Sequence, residues 1–394
     1  MIRRKGWIAY TGPFSFPWGQ AGSRRVNGMA CTLAAGGHDV VVVSGAGGPA
    51  QPARLDGVDG PGSVSYVGLD EEPASAGRTF SDAAQAFLRR GRRITQWLDA
   101  QPTKPSHVFV YGGGAQYMLH LRRWCQRHKV PLIPDIVEWY SLSQLRASYI
   151  GPTHLSSKVA LRYHYPRCDG VIAISSFLEE HYRCRGVPVL RVPPTLDVEG
   201  LTIGERQVDD SLDLSLVYAG TPGRKDLLAA IVQAVDRVDS KGVRIRLRVL
   251  GPSVAQVREL LGGPVPTSTE VLGRLAQQEV PAEIRRADFS VLMRRPARFS
   301  EAGFPTKFCE SLANGTPVIA NLTSDLGSYL RTGQEGIVCA DYSVENLTEV
   351  LLAAARIAPG ERGRMRRAAR ERALRSFDYR AYAEPMNAFL QAVR

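Results

Sequence analysis

The feature that most constrains this chain is an alternation of short apolar runs with longer segments of helical spacing. The clearest run is Val40–Ser44, which holds four consecutive valines. A continuous β-branched run reads as a strand buried on both faces, the mark of a parallel sheet covered by helices. In the first half, Trp7–Tyr10, Val40–Ser44, His107–Tyr111, Pro131–Ile136 and Gly170–Ile174 read as strands. Helices are expected from the Gly19 loop to Ala35, over Asp82–Gln101 and Leu119–Lys129, and over Phe177–Arg185 behind a Ser175-Ser176 cap. The proline pair Pro193-Pro194 ends this half.

The pattern then restarts. Ser215–Tyr218, Arg244–Leu250, Val271–Leu272, Phe289–Leu292 and Pro317–Ala320 read as strands, with helices over Leu227–Val238, Ala282–Ala287 and Lys307–Asn314. Three helical segments follow, Val344–Ala358, Gly360–Ser376 and Tyr379–Arg394. The expected class is α/β, with two doubly wound domains joined near Asp197–Asp213. A length of 394 residues suits two domains, each of about 150–200 residues.

Composition narrows the function. With 44% hydrophobic and 22% charged residues, the chain is neither disordered nor a small disulfide scaffold. No apolar stretch approaches the roughly 20 residues of a spanning helix. The basic start lacks the apolar run and cleavage site of a secretory leader, so a cytoplasmic protein is expected. The six cysteines form no C-x-x-C pair and read as buried or incidental thiols. The net charge of +12 suits an anionic substrate, a membrane surface or nucleic acid without choosing between them.

Three junctions hold residues suited to an anion. Gly19–Ser23 precedes a helix, where glycines let backbone amides approach a phosphate, although no G-x-G-x-x-G is present. Gly220-Thr221-Pro222-Gly223-Arg224-Lys225-Asp226 joins a strand to a helix, with Lys225 in its opening turn. Phe304-Pro305-Thr306-Lys307 opens another helix, with Pro305 expected at the first helical position and the amides of Thr306 and Lys307 turned outward. Glu310 follows one turn later, where a carboxylate can accept two ribose hydroxyls. Singly, these residues equally describe a solvated helix start and a surface ion pair. Together they point to a diphosphate carrying a ribose.

Gly220–Asp226, followed by Glu301-Ala302-Gly303-Phe304-Pro305-Thr306-Lys307-Phe308-Cys309-Glu310-Ser311-Leu312-Ala313-Asn314-Gly315-Thr316-Pro317, strongly resembles the family 4 retaining glycosyltransferases. The match is most specific over 215–345, looser over 1–45, and only general between them. The resemblance implies a GT-B fold, two Rossmann-like domains facing each other across a cleft. Residues 1–197 would bind the acceptor and 198–376 the nucleotide-sugar donor, with 377–394 a helix packing back on the first domain. It further implies that Lys225 and Lys307 serve the donor phosphates and Glu310 the ribose. Gly220, Thr221, Arg224, Pro305 and Thr306 would lie beside the diphosphate and sugar, and Gly22 would face the phosphates. Arg274 sits where relatives approach the base, and Arg294 ends the strand leading to the donor loop.

Two positions depart from the family. Thr221 stands where an arginine is usual, leaving Arg224 available for that phosphate contact. Ala302 stands where the first glutamate of a pair is usual, with Glu301 one step off. In place of the family's sugar-binding histidine the chain has Asp135-Ile136-Val137-Glu138, so Glu138 is the candidate acceptor or sugar contact.

The activity implied is hexosyltransferase-type: retaining transfer from a nucleotide-diphosphate sugar to a glycan, lipid-linked or secondary-metabolite hydroxyl, with no metal and no other cofactor. Alternatives are a non-catalytic or partner-dependent nucleotide-sugar-binding protein and an epimerase of similar fold using Asp135 and Glu138. Peripheral association with anionic membrane is a further expectation. It rests on Arg89, Arg90, Arg92 and Arg93 beside Trp97, and on Arg122, Arg123 and Arg127 beside Trp124. No nucleic-acid motif is present.

Overall fold

The computed structural model describes residues 6–17, 19, 21–71, 89–139, 152–204, 211–222 and 226–393. The chain forms two compact units, Met1–Leu196 with Tyr379–Arg394, and Asp197–Asp378.

The first unit contains β1 (Ile8–Gly12), α1 (Ala21–Ala35), β2 (Asp39–Ser44), β3 (Ala53–Arg54), β4 (Ser63–Gly68), α2 (Arg92–Asp99), β5 (His107–Tyr111), α3 (Ala115–His128), β6 (Leu132–Ile136), α4 (Pro152–Val159), β7 (Val171–Ala173), α5 (Ser176–Arg183) and β8 (Val189–Arg191). The sheet order is β3-β4-β2-β1-β5-β6-β7-β8. Every pairing is parallel except the two-residue edge strand β3. One face of β1, β2 and β5 presents Ile8, Tyr10, Val40, Val42 and Phe109 to Val26, Met29 and Leu33 of α1. The C-terminal helix Ala383–Ala392 adds Met386, Phe389 and Leu390 to the same core.

Helix α1 lies hard against the chain leaving β8. A Cβ on Gly28 would fall 2.2 Å from the Thr195 carbonyl oxygen, so that approach requires glycine. The expected helix Asp82–Gln101 is corrected in its described part: Gly91, at a φ of +89°, interrupts it, and α2 starts at Arg92. The Gly91 amide instead donates to the Glu71 carboxylate at 2.6 Å. Residues 82–88 lie outside the described residues.

The second unit contains β9 (Leu214–Ala219), α6 (Leu228–Asp239), β10 (Ile245–Leu250), α7 (Val254–Leu261), β11 (Thr269–Gly273), α8 (Val280–Arg286), β12 (Phe289–Leu292), α9 (Arg298–Ala302), α10 (Thr306–Ala313), β13 (Val318–Asn321), β14 (Gly336–Cys339), α11 (Val344–Ala355) and α12 (Pro359–Ser376). All strands are parallel, in the order β11-β10-β9-β12-β13-β14. Leu214, Leu216 and Tyr218 of β9 meet Ile231, Val235 and Val238 of α6. Val217 and Ala219, on the opposite face, meet Ile284 and Ala287. Both faces of the sheet are therefore buried, which explains why its strands read as continuous apolar runs. From β9, the first strand of this unit, the order runs through β10 and β11 on one side and through β12, β13 and β14 on the other. Ligands of such sheets bind outside the carboxyl ends at that reversal.

After α4 the helix widens into a π-helical turn, Ala160–His164. His164 is buried, and Arg122 donates to its Nδ1 at 3.3 Å. Burial, with Arg122 and Arg167 nearby, lowers its pKa from 6.5 to about 4. The unfolded chain therefore takes up this proton first as the pH falls. His164 favours the folded state fully above pH 6.5, and the advantage is lost progressively toward pH 4. His164→Asn, which keeps an acceptor for Arg122 but cannot titrate, is expected to flatten the fall of the unfolding midpoint across that window. An unchanged pH profile would show that other groups carry it.

Candidate functional site

At the carboxyl end of β9 the chain turns through Gly220, at a φ of +127°. A Cβ there would lie 2.4 Å from Lys307 Cε. Glycine thus lets the Lys307 arm, which comes from the opening turn of α10, cross the end of the strand. Its ammonium pairs with the Asp226 carboxylate, donates to the Tyr218 hydroxyl at 2.6 Å and stands 4.1 Å over the Tyr218 ring. The Tyr218 hydroxyl in turn donates to Asp226 Oδ2 at 2.9 Å. Arg294, just past the end of β12, brings Nε to 3.6 Å from Asp226 Oδ1. Its backbone is locked by a two-way exchange with the Asn321 amide, each bond 2.8 Å.

One carboxylate thus faces two cations at the sheet's reversal point. Burial holds the Lys307 ammonium below the usual lysine range, against the opposing pull of Asp226. Burial and the same carboxylate push the Tyr218 hydroxyl well above its ordinary value. A site with this charge is suited to an anion that takes over the role of Asp226.

Pro305 is corrected by one position: it is the N-cap residue in an extended conformation, and Thr306 begins α10. The Phe308 amide bonds back to the Pro305 carbonyl at 3.0 Å. The amides of Thr306 and Lys307 precede the first possible intrahelical acceptor and face out of the helix end. Glu310 lies one turn on, half-buried, its carboxylate contributing to the field at Lys307. Thr221 is exposed beside Gly220, and Arg274 is exposed just beyond β11. Arg224 and Lys225 lie outside the described residues.

Gly22 and Glu138 belong to the first unit, each at the carboxyl edge of its sheet. Gly22 is in the opening turn of α1, where a Cβ would stand 3.1 Å from the Tyr111 side chain. Glu138 lines a crevice of about 50 Å³ with Tyr111, Gly112, Ser157 and Tyr165. Asp135 borders that crevice, but its side chain has no exposed surface. It accepts from Arg25 Nε at 3.0 Å, from Arg25 Nη2 at 2.8 Å and from the Tyr10 hydroxyl at 2.6 Å. The remaining Arg25 nitrogen, Nη1, is held by the carbonyls of Val192 and Pro193 at 2.9 and 2.7 Å. A carboxylate so occupied is not placed to abstract a proton, which leaves Glu138 alone of the two acids suggested for an epimerase.

The aromatic side chains expected to anchor a membrane are also committed elsewhere. Trp124 is buried and donates to Asp99 at 2.8 Å. Trp97 meets Trp7 edge-on at 6.1 Å. Sequence reasoning missed Asp226 and Tyr218, although Asp226 directly follows Lys225 in the same junction.

Residues 21–195 match the glycosyl transferase 4-like domain and residues 213–356 match glycosyl transferases group 1. The chain is a family 4 glycosyltransferase. Its reaction is glycosyl transfer from a nucleotide sugar. Glycogen synthase of Mycobacterium tuberculosis is 22% identical over 387 residues, covering 91% of this transferase and 88% of that protein. Among solved structures, sucrose-phosphate synthase from Thermosynechococcus elongatus superposes with a TM-score of 0.70 at 14% identity, covering 98% of each chain. Anabaena HepE in complex with UDP and glucose gives 0.66 at 12% identity, covering 98% of the transferase and 100% of that chain. The fold they share is GT-B.

The transferase's departure at position 302 has a physical consequence. Ala302 is fully buried at the end of α9, and the adjacent Glu301 accepts from the Ser324 amide at 2.9 Å. Ser324 has a φ of +55°, and this bond helps hold its turn. Glu301 thus has a structural role in that turn. No helix among the described residues is long and apolar enough to cross a membrane.

Proposed function

We propose that the transferase retains the donor's anomeric configuration and works without a metal. In this reading the donor diphosphate lies against Lys307, Arg294 and the opening turn of α10, and Glu310 takes the ribose hydroxyls. Gly220, Thr221, Pro305 and Thr306 form the surrounding backbone, while Arg224 and Lys225, which follow Thr221 in the sequence, add charge. Arg274 approaches the base. The observation that carries the reading is the Lys307–Asp226–Arg294 cluster, two cations held by one carboxylate where a parallel sheet reverses.

Transfer then needs positioning and charge stabilisation rather than an enzymic nucleophile. The bond from the sugar to the diphosphate breaks, and the acceptor oxygen bonds to the same face of the sugar. The acceptor's proton passes to the departing phosphate oxygen. Lys307 and Arg294 stabilise the charge that develops there, in the place a divalent ion would otherwise take. Glu138, in its crevice, orients the acceptor hydroxyl, whose carrier is a glycan, a lipid-linked sugar or a secondary metabolite. The net charge of +12 is compatible with peripheral action at an anionic membrane.

HepE was solved with UDP and glucose, so uridine heads the donors to test. Incubation with an α-linked nucleotide sugar, followed by proton NMR, should show the α-anomer released first, at a rate unchanged by EDTA. Initial release of the β-anomer would overturn retention, and abolition by EDTA would overturn metal independence.

A further inference from the structure

Helix α4 and its π turn carry two opposed faces. Inward, Ser157, Leu161 and Tyr165 line the Glu138 crevice, and the Tyr165 hydroxyl donates to the Gly113 carbonyl at 2.8 Å. Outward, Leu155, Val159 and Tyr163 recur at every fourth residue through α4 and its π turn, with exposures of 65%, 36% and 51%. A water-facing helix puts such residues inward; this one turns them out. On α3, bound to this segment by the Ser156–Gln116 hydrogen bond of 2.5 Å, Leu119 is 39% exposed. Three of the ten large apolar side chains that are exposed among the described residues thus lie in line on one helix face, with a fourth, Leu119, on the neighbouring helix.

The charge carried by these two segments themselves has one sign. Lys158, Arg162 and Arg167 flank the stripe, and α3 adds Arg122, Arg123 and Arg127, with no acidic residue in Ala115–His128 or Pro152–Arg167. The Arg167 guanidinium covers the Tyr163 ring at 3.9 Å. Nucleic acid would use the arginines but has no use for exposed Leu155 and Val159. A bilayer takes both: apolar side chains enter the headgroup boundary while lysines and arginines meet anionic headgroups.

We propose that the outer face of α4 and its π turn docks the transferase on an anionic lipid bilayer. The same segment walls the Glu138 crevice on its other face, so docking brings that crevice to about 10 Å, one helix diameter, from the lipid surface and favours a lipid-linked hydroxyl as its acceptor. That acceptor assignment rests on the proposed role of Glu138; the docking does not.

The test is flotation of the full chain with vesicles of phosphatidylcholine alone or mixed with phosphatidylglycerol, without donor or acceptor, so its outcome is independent of the catalytic reading. Wild type is expected to float with the mixed vesicles, less so as salt rises, and to stay down with phosphatidylcholine. The triple variant Leu155→Ser, Val159→Ser, Tyr163→Ser should lose at least about tenfold in bound fraction. Lys158→Glu with Arg162→Glu should lose as much while leaving every apolar side chain in place, and it decides the matter if the triple variant fails to fold by circular dichroism. Wild type that does not float, or charge-reversed protein that floats as well as wild type, overturns the proposal. A dimer in sedimentation equilibrium that the triple variant loses, without flotation, would assign the face to a second copy and overturn it too.

Discussion

Asp226→Asn is expected to destabilise the second unit by about 3 kcal/mol in the absence of ligand, because removing one partner of a buried ion pair leaves the other charge uncompensated. The estimate sits at the low end of the range for buried pairs, since the Asp226 and Lys307 side chains keep 12% and 19% exposure. Arg294, at 5%, has less access to water and bears more of the cost. The penalty should shrink with ligand. A nucleoside diphosphate brings its own negative charge to both cations, so it should restore more stability to the variant than it adds to wild type. Urea unfolding with and without the diphosphate measures both quantities. Equal stability of the two proteins without ligand would mean that Lys307 is neutral there and that Asp226 is no counter-ion. Equal gain from the ligand would mean that the phosphate does not occupy this cluster.

The first unit should respond more severely to Asp135→Ala. The Arg25 and Asp135 side chains are 3% and 0% exposed, and every Asp135 contact described is internal. Loss of the carboxylate strands a guanidinium and also leaves the Tyr10 hydroxyl without its acceptor. The expected cost is about 4–5 kcal/mol, a large share of the 5–15 kcal/mol typical of a folded protein. Circular dichroism during urea unfolding should show an early transition in this variant. Arg25→Met with Asp135→Leu should recover much of the loss, because a neutral apolar pair of similar volume leaves no stranded charge. A catalytic Asp135 predicts the opposite: normal stability and abolished turnover.

What was legible in the sequence, and what was not, follows the range of the interactions involved. Phe289–Leu292 stands at the same residues in sequence and structure, because a run buried on both faces needs only its own composition to be recognised. Strands β4 and β14 were not read. Ser63 and Ser65 interrupt one, the other has only the four residues Gly336–Cys339, and both depend on pairing with neighbours distant in sequence. Helix α7 was missed despite a local signal: Ser253 and Gln256 form a reciprocal capping box. The π turn had no such signal.

The candidate site divides in the same way. Lys307 and Glu310 were visible from their place in one helix opening. Asp226 was not, because its partners Lys307 and Arg294 reach it only through the sheet. Trp97 and Trp124 looked like membrane anchors because a helix full of arginines hides which side faces its neighbours. The structure turns both to internal partners and exposes Leu155, Val159 and Tyr163 instead.

The central claim is that the donor's ribose is held by Glu310 beside a diphosphate on Lys307, and calorimetric titration tests it most directly. Wild type and Glu310→Ala would each be titrated with UDP, GDP, ADP and dTDP, and then with the 2′,3′-dideoxy form of whichever binds. The account predicts binding of one nucleotide, weakened at least about tenfold in Glu310→Ala, consistent with loss of hydrogen bonds to a charged group. It also predicts that the dideoxy form binds the two proteins alike, since the hydroxyls that Glu310 would accept are gone. If Glu310→Ala binds the nucleotide as tightly as wild type, or weakens the dideoxy form by the same factor, the ribose is not at Glu310 and the donor site is elsewhere.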